Sequence, residues 1–501
     1  MYMPFRTISL LFVGALAGAL QAQTTLMVTS AAAIGPGTLD AAVTQLIPGM
    51  SVQVVRFQLP ANSVITLGQT LQAVRGSEVL IDGGDTPGLV IDGNGLGMFR
   101  VDFSGDTERL TLRNVKLRGG SRAFGGCLSV MRVATIAEVD NLVFEDCRAA
   151  ANDSVSGRGG AIYAEGPLSV IRSRFTGNEA NDNNLLAPLP DGGAIAARSA
   201  VSIARSTFQQ NRILKSNPTG GCPAGDGGAV AMFLPPGQNA QFADVSFTGN
   251  WTQCQNSRQN GRGGALAIYS SGTGAAANVF ISNAYFGQNE GFSGGAVLLQ
   301  SVRLQMQNVT FFENVASLGG GLIIFPAGAQ PADLRLSNVT FHRNTAHVGT
   351  GADLDLGTRL GAPTPVRDLR NVLFGPPLFG ESCAEAAFNA DAGEAVFVTG
   401  NSCFVSVAGN LITAQFPGNN FGLQPPAMNG GYVPTLDVAP GSPAIDNGSF
   451  TLCPATDARG ATRPYDGDAN GVAICDVGAI EFRPDLLFKH GFENAALSQH
   501  D

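Results

Sequence analysis

Two stretches of the sequence space acidic side chains so that they could act together. In "DGDANGVAICD", residues 466–476, Asp466, Asp468 and Asn470 alternate ahead of Gly471. Alternate side chains of a bending chain turn their oxygens toward one point, and hard oxygen donors are what calcium selects. Val472 would add its carbonyl. Asp476 would stand in for the bidentate Glu of such a loop, whose twelfth position is Val477 in this chain. Without that bidentate ligand the expected Kd is about 10⁻⁴ to 10⁻³ M. A plain Asp/Asn/Gly turn accounts for the same letters. In "HVGTGADLDLGTR", residues 347–359, Asp353 and Asp355 share one strand face near His347 and Arg359. Clustered acids with a basic residue could cleave acidic polysaccharides. Alternation alone gives the same spacing, with the acids on a solvated outer face and Leu354 and Leu356 packed inside.

These residues must be positioned by a repeat. Phe-x-x-Asn recurs at Phe175, Phe208, Phe247, Phe286, Phe311 and Phe341. Degenerate copies at Phe144 and Phe374 carry Cys147 and Pro377 in place of Asn. A glycine pair interleaves with them at Gly125, Gly159, Gly192, Gly227, Gly263, Gly294 and Gly319. Before each Phe, apolar and polar residues alternate, as in "LQMQNVTF", which predicts a strand that bends at a small polar residue such as Asn308 or Asn338. Leu304, Met306, Val309 and Phe311 then face inward, and a second short strand starts at the glycine pair. One such unit cannot bury its apolar face alone, so units stack in parallel. The expected fold is all-β: a right-handed parallel β-helix solenoid of about twelve coils at the usual strand spacing. Its Phe residues form an interior ladder and its Asn residues a ladder of amides. Extra residues, such as those after Asn178 and Asn211, fall between Phe-x-x-Asn and the next glycine pair, so the insertions emerge on one side.

The repeats resemble the Phe-x-x-Asn and Gly-Gly-Ala-Ile repeats of chlamydial polymorphic outer-membrane proteins, within the pectin-lyase-like superfamily, over about residues 110–380. "SPAIDNG" at Ser442, "DARGATRP" at Asp457 and "CDVGAIEF" at Cys475 together resemble the choice-of-anchor Q module that closes exported β-helix proteins. "GTLDAAV", residues 37–43, is similar to the "Ser-Leu-Arg-Glu-Ala" start of such proteins, with Asp40 and Ala41 replacing Arg-Glu. It belongs to an amphipathic helix over 37–47 in which Leu39, Ala42, Val43 and Leu46 share a face and Thr38 caps. We read this helix as blocking the open sheet end. The implied organisation is a signal peptide at 1–22, an N-terminal cap at 23–60, the β-helix at 61–404, the choice-of-anchor module at 405–483 and a tail at 484–501.

Arg6 and the apolar run 8–20 predict export, with cleavage after Ala19 or Ala22; a membrane anchor is the alternative, but the run is shorter than the roughly 20 residues a span needs. No later segment could span. "LLFKHGFE" is similar to short Gly-Phe-Glu endings of exported Gram-negative proteins, and the residues after 483 are too few for a translocator barrel. The expected location is secreted or outer-membrane-associated at the cell surface of a Gram-negative-type bacterium. In an exported chain, eight cysteines suggest four disulfides. Stacked insertions would join Cys222 to Cys254, and nearest neighbours would pair Cys127 with Cys147, Cys383 with Cys403 and Cys453 with Cys475; metal ligands or free core thiols are the alternatives.

Only 14% of residues are charged, the net charge is −9 and basic clusters are absent, so nucleic acid is not an expected partner. The Gly-His-Gly, Trp-x-Asp-His and Asp-Phe-x-Phe-Gly motifs of pectin-degrading relatives are missing, and Trp251 is the one Trp available for sugar stacking. The sequence therefore points to a non-catalytic adhesin or partner-binding scaffold for a surface protein or polysaccharide. The rivals are a polysaccharide lyase or hydrolase and a structural envelope component. No cofactor is expected apart from calcium.

Overall fold

The alternating runs before each Phe become continuous strands. In Val302–Phe312, Leu304, Met306, Val309 and Phe311 are buried, and Asn308 turns the corner at φ +55° without ending the strand. Asn141, Asn283, Asn338 and Asn371 adopt the same left-handed conformation, which Asn tolerates better than most residues. The computed structural model describes residues 23–150, 156–182, 191–215, 225–254, 261–270, 276–325, 333–357, 366–416, 421–449 and 453–484. The expected signal peptide, most of the tail, Arg359 and Cys222 lie outside them.

Among the described residues the strands form sheets of 19, 11 and 5 members. The chain visits them in turn. Ile136–Glu145 lies in the large sheet, Arg148–Ala150 in the narrow one and Ile162–Ala164 in the third. The chain then returns to the large sheet one step along, with Phe144 beside Phe175. Repetition of this circuit makes a parallel β-solenoid. Parallel pairing starts before the predicted helix, since Thr24–Val28 pairs with Val52–Phe57. The helix is short, Leu39–Thr44; Thr38 Oγ1 accepts from the Ala41 N–H at 3.3 Å, and Leu39, Ala42, Val43 and Leu46 share a core with Val55 and Phe57.

Two ladders explain the repeat. The rings from Phe144 to Phe374 stack at 4.6–5.1 Å with planes within 10° of one another, and the degenerate copies at both ends take part. Asn178, Asn211, Asn250, Asn289, Asn314 and Asn344 are fully buried. In each of the first five, Nδ2 donates to the next Asn Oδ1 at 2.9–3.0 Å. The second amide hydrogen goes to the Phe carbonyl of the preceding coil, as from Asn250 to Phe208 at 3.0 Å. A buried amide is thereby fully used. The first glycine of each pair has its own reason: at Gly125, φ is +61° and a Cβ would stand 1.9 Å from the Leu128 carbonyl oxygen, so a side chain has neither the conformation nor the room.

The C-terminal residues fold back onto the side of the stack. Val433 and Leu436 pack against Tyr285 and Phe312. Asn338 Nδ2 donates to the carbonyls of Asp476 and Gly478, and the Ala479 N–H to Thr340 Oγ1. The corner asparagines of the stack thus become anchors for this segment.

Candidate functional site

The structure places Asp353 and Asp355 differently from either sequence reading. Asp353 is 0% and Asp355 1% exposed, and Leu354 and Leu356 are buried beside them, so this strand has no solvated face. The next coil covers it: Leu354 pairs with Cys383 of Phe379–Cys383. Asp353 instead ends the amide ladder. Pro377 offers no amide where the next Asn would stand, and Asn344 Nδ2 donates to Asp353 Oδ1 at 2.8 Å. Ser382 acts on the same carboxyl, although neither Asp353 Oδ2 nor the Ser382 hydroxyl makes a well-formed hydrogen bond. Burial pushes Asp353 up to about 7. Asp355 accepts from the Gly357 N–H at 2.8 Å. His347 is exposed beside the Phe379 ring, so it is not assembled with the two acids.

Residues 466–472 form a tight loop. Asp466 accepts from the N–H groups of Asn470 and Gly471, Asp468 Oδ1 from that of Asn470, and Asn470 Oδ1 from that of Val472 at 2.8 Å. Asp446 joins them from "SPAIDNG": carboxylate oxygens of Asp446, Asp466 and Asp468 lie within 4.8 Å of one another. Three converging carboxylates offer the hard oxygen donors that a calcium ion takes, whereas Asn470 turns its amide nitrogen to Asp468. Asp476 does not join. It is buried, accepts from the N–H groups of Asp446 and Phe482, and is pushed up to about 8 by burial and by Glu481. Asp446 was missed because it lies 20 residues upstream of Asp466 and is brought in by the fold.

Asp476 belongs to a buried ionic network built from the three C-terminal motifs. Arg463 lies 3.2 Å from Glu481, both side chains fully buried, and donates to the Gly478 carbonyl at 3.0 Å. Arg459 pairs with Asp457 at 2.7 Å and Asp437 at 3.2 Å, and Asp457 also accepts from the Glu481 N–H. Every charge here has a partner of opposite sign or a backbone dipole, which is what a burial this deep requires.

A further site appears at the residue just before each glycine pair. Phe124, Arg158, Asp191, Asp226, Arg262, Ser293 and Leu318 stack in parallel register. Asp191 and Asp226 are 3% and 5% exposed. Arg158 and Arg198 approach one Asp191 carboxyl oxygen at 3.4 and 3.3 Å, and the Tyr269 hydroxyl donates to Asp226 at 2.9 Å. Arg198 lies 4.7 Å above the Phe233 ring, which stacks on Tyr269. Burial pushes Asp191 up to about 7, with Arg158 opposing and Asp226 adding, and it raises Asp226 as well. Aligning the repeats would have shown Arg, Asp, Asp and Arg at a position that elsewhere holds Phe, Ser or Leu. In the chain, 151–155, 183–190, 216–224 and 255–260 each lie between the narrow sheet and this row, and the strands before them stack in register through Ala150, Asn181, Leu214 and Gln253.

Three expected disulfides are present: Cys127–Cys147, Cys383–Cys403 and Cys453–Cys475. The fourth, Cys222 with Cys254, is not described, although Trp251–Cys254 lies in register with Arg212–Lys215 as stacked insertions require. Among the described residues no helix is long and apolar enough to cross a membrane. No family model, curated protein or solved structure matches the chain.

Proposed function

We propose that this is an exported, non-catalytic β-solenoid that binds a surface protein or polysaccharide through its insertion-bearing corner. One observation carries the reading: successive insertions join the stack side by side at a row whose members Arg158, Asp191, Asp226 and Arg262 are charged. A rigid stack presenting adjacent variable segments is a common way to build a binding face. The repeats' resemblance to polymorphic outer-membrane proteins, the C-terminal resemblance to the choice-of-anchor Q module and the apolar run 8–20 support a surface location. Replacing 183–190, 216–224 and 255–260 by short Gly-Ser linkers should abolish binding to whichever host or matrix component the intact protein retains, with circular dichroism unchanged. Undiminished binding would remove the corner from consideration.

A second reading is favoured by the buried pair Asp191 and Asp226, since raised carboxyl pKa values beside Arg and Tyr are also how active sites are tuned. Turnover of acidic polysaccharides that disappears in Asp191→Asn would establish a lyase or hydrolase. The Asp446, Asp466 and Asp468 loop would hold calcium as a structural ion.

A further inference from the structure

Arg122 lies on the two-residue strand Ser121–Arg122, opposite Ala149. Its guanidinium rests on Gly97, where a Cβ would stand 2.3 Å from Nη2 and 2.6 Å from Nε and Cζ. Only a residue without a side chain leaves that cradle. The side chain as a whole is part-exposed, yet Nε and Nη2 are closed off and meet no acceptor.

Elsewhere in the chain this same edge of the guanidinium is a fork that grips a carboxylate. Arg172 donates from Nε and Nη2 to the two oxygens of Asp140 at 3.0 and 2.6 Å. Arg100 donates from Nη2 to Asp102 at 3.0 Å, and its Nε lies 2.7 Å from the other oxygen without forming a well-aligned hydrogen bond. The planar fork matches two oxygens of one anion, which is why Arg is suited to this task. Arg122 has the fork without the anion. Asp102, the acid that acts on it, is already paired with Arg100, and the two guanidiniums repel: burial first and Arg100 second hold Arg122 below its ordinary pKa. On the next coil, opposite Arg100, Ser129 is 1% exposed and its hydroxyl also has no partner. Buried donors without acceptors are rare, and here they accompany two cations facing one carboxylate.

We propose that the Nε/Nη2 edge of Arg122 is the fork of an oxyanion site that takes one carboxylate or sulfate group, with Arg100 as the second cation. The ligand group enters by rotation of a side chain whose outer part is already exposed, so it is small and singly presented, either free or carried on a sugar. The site stands whether or not the insertion-bearing corner binds a partner.

Equilibrium dialysis of the full chain against labelled sulfate at constant ionic strength tests it. One saturable anion per chain is expected, weakened at least tenfold in Arg122→Met and several-fold in Arg122→Lys, which keeps the cation and loses the fork. The Lys variant decides the matter if the Met variant does not fold. Acetate and a galacturonate oligomer compete in separate arms; a much stronger effect of the oligomer assigns the group to a glycan, and equal effects assign it to a free anion. No saturable sulfate in the wild-type protein, or binding unchanged in both Arg122 variants, overturns the site.

Discussion

Asp353 does at the end of the amide ladder what Asn does within it, and its chemistry shows the difference. As an acid it can lose a proton, and its folded value of about 7 lies above the ordinary 3.8. A raised folded pKa contributes stability that is full below about pH 4 and is lost as pH climbs through 7, on the order of 4 kcal/mol at this shift. Asp353→Asn keeps the acceptor for Asn344 and cannot ionise. The variant should therefore melt higher than the wild type at pH 8 and alike near pH 4; parallel melting curves would show Asp353 ionised at no cost. Asn250→Ala belongs to the same ladder and should cost roughly 1–3 kcal/mol, because it strands the Phe208 carbonyl and the Asn211 amide. Neither role was readable locally: Asp353 acts because Pro377, 24 residues on, interrupts the next rung.

At the scale of elements, the phenylalanine ladder joins the coils and the folded-back C-terminal segment covers part of their outer face. Phe247 sits between Phe208 and Phe286 at 4.7 and 5.0 Å. Phe247→Ala opens a cavity between two rings and should cost about 3–5 kcal/mol in denaturant unfolding; an effect below about 1 kcal/mol would show the neighbours closing over it. The C-terminal segment buries Val433 and Leu436 against Tyr285 and Phe312, so an isolated fragment would expose that face and only the full chain is a fair test of its stability. In the full chain, millimolar calcium should raise the melting temperature of this segment by mass action, and Asp468→Ala or Asp446→Ala should abolish the rise. Identical melting in calcium and chelator would leave the loop a structural turn. Arg463→Met strands Glu481 without its cation and should destabilise the same segment by roughly 3–5 kcal/mol.

For the whole molecule the buried acids set the pH profile. Asp191 and Asp353 are pushed to about 7 and Asp476 to about 8, with Asp226 and Glu481 also raised. Each is held toward its protonated form in the folded chain, so each favours unfolding as pH rises above the ordinary carboxyl range, through about 7 for Asp191 and Asp353 and about 8 for Asp476. His342 works the other way. Burial holds it down at about 4 from 6.5, so its contribution is present above pH 6.5 and is lost as pH falls toward 4. Five carboxyls outweigh one imidazole, and the melting temperature should be higher at pH 5.5 than at pH 8 in matched salt. A maximum at pH 8 would mean that the network charges of the C-terminal segment stay ionised and compensated.

The repeat, and what the repeat forces, can be read along the chain. Period-two alternation, a left-handed corner at Asn308 and its counterparts, Phe and Asn at fixed offsets and a glycine where no Cβ fits are all local requirements, so they can be read along the chain. Nearest-neighbour cysteines were also legible, because each pair is separated by only 20 to 22 residues of chain, less than one circuit of the stack. The tertiary structure decided what happens between coils. Whether Asp353 is solvated or sealed depends on the coil above it, whether Asp446 or Asp476 meets Asp466 depends on which way a buried network turns, and the charged row from Arg158 to Arg262 exists only once residues about 35 apart are stacked. Burial and charge compensation are properties of neighbours in space, and a one-dimensional pattern fixes a residue's own conformation far better than it fixes its neighbours.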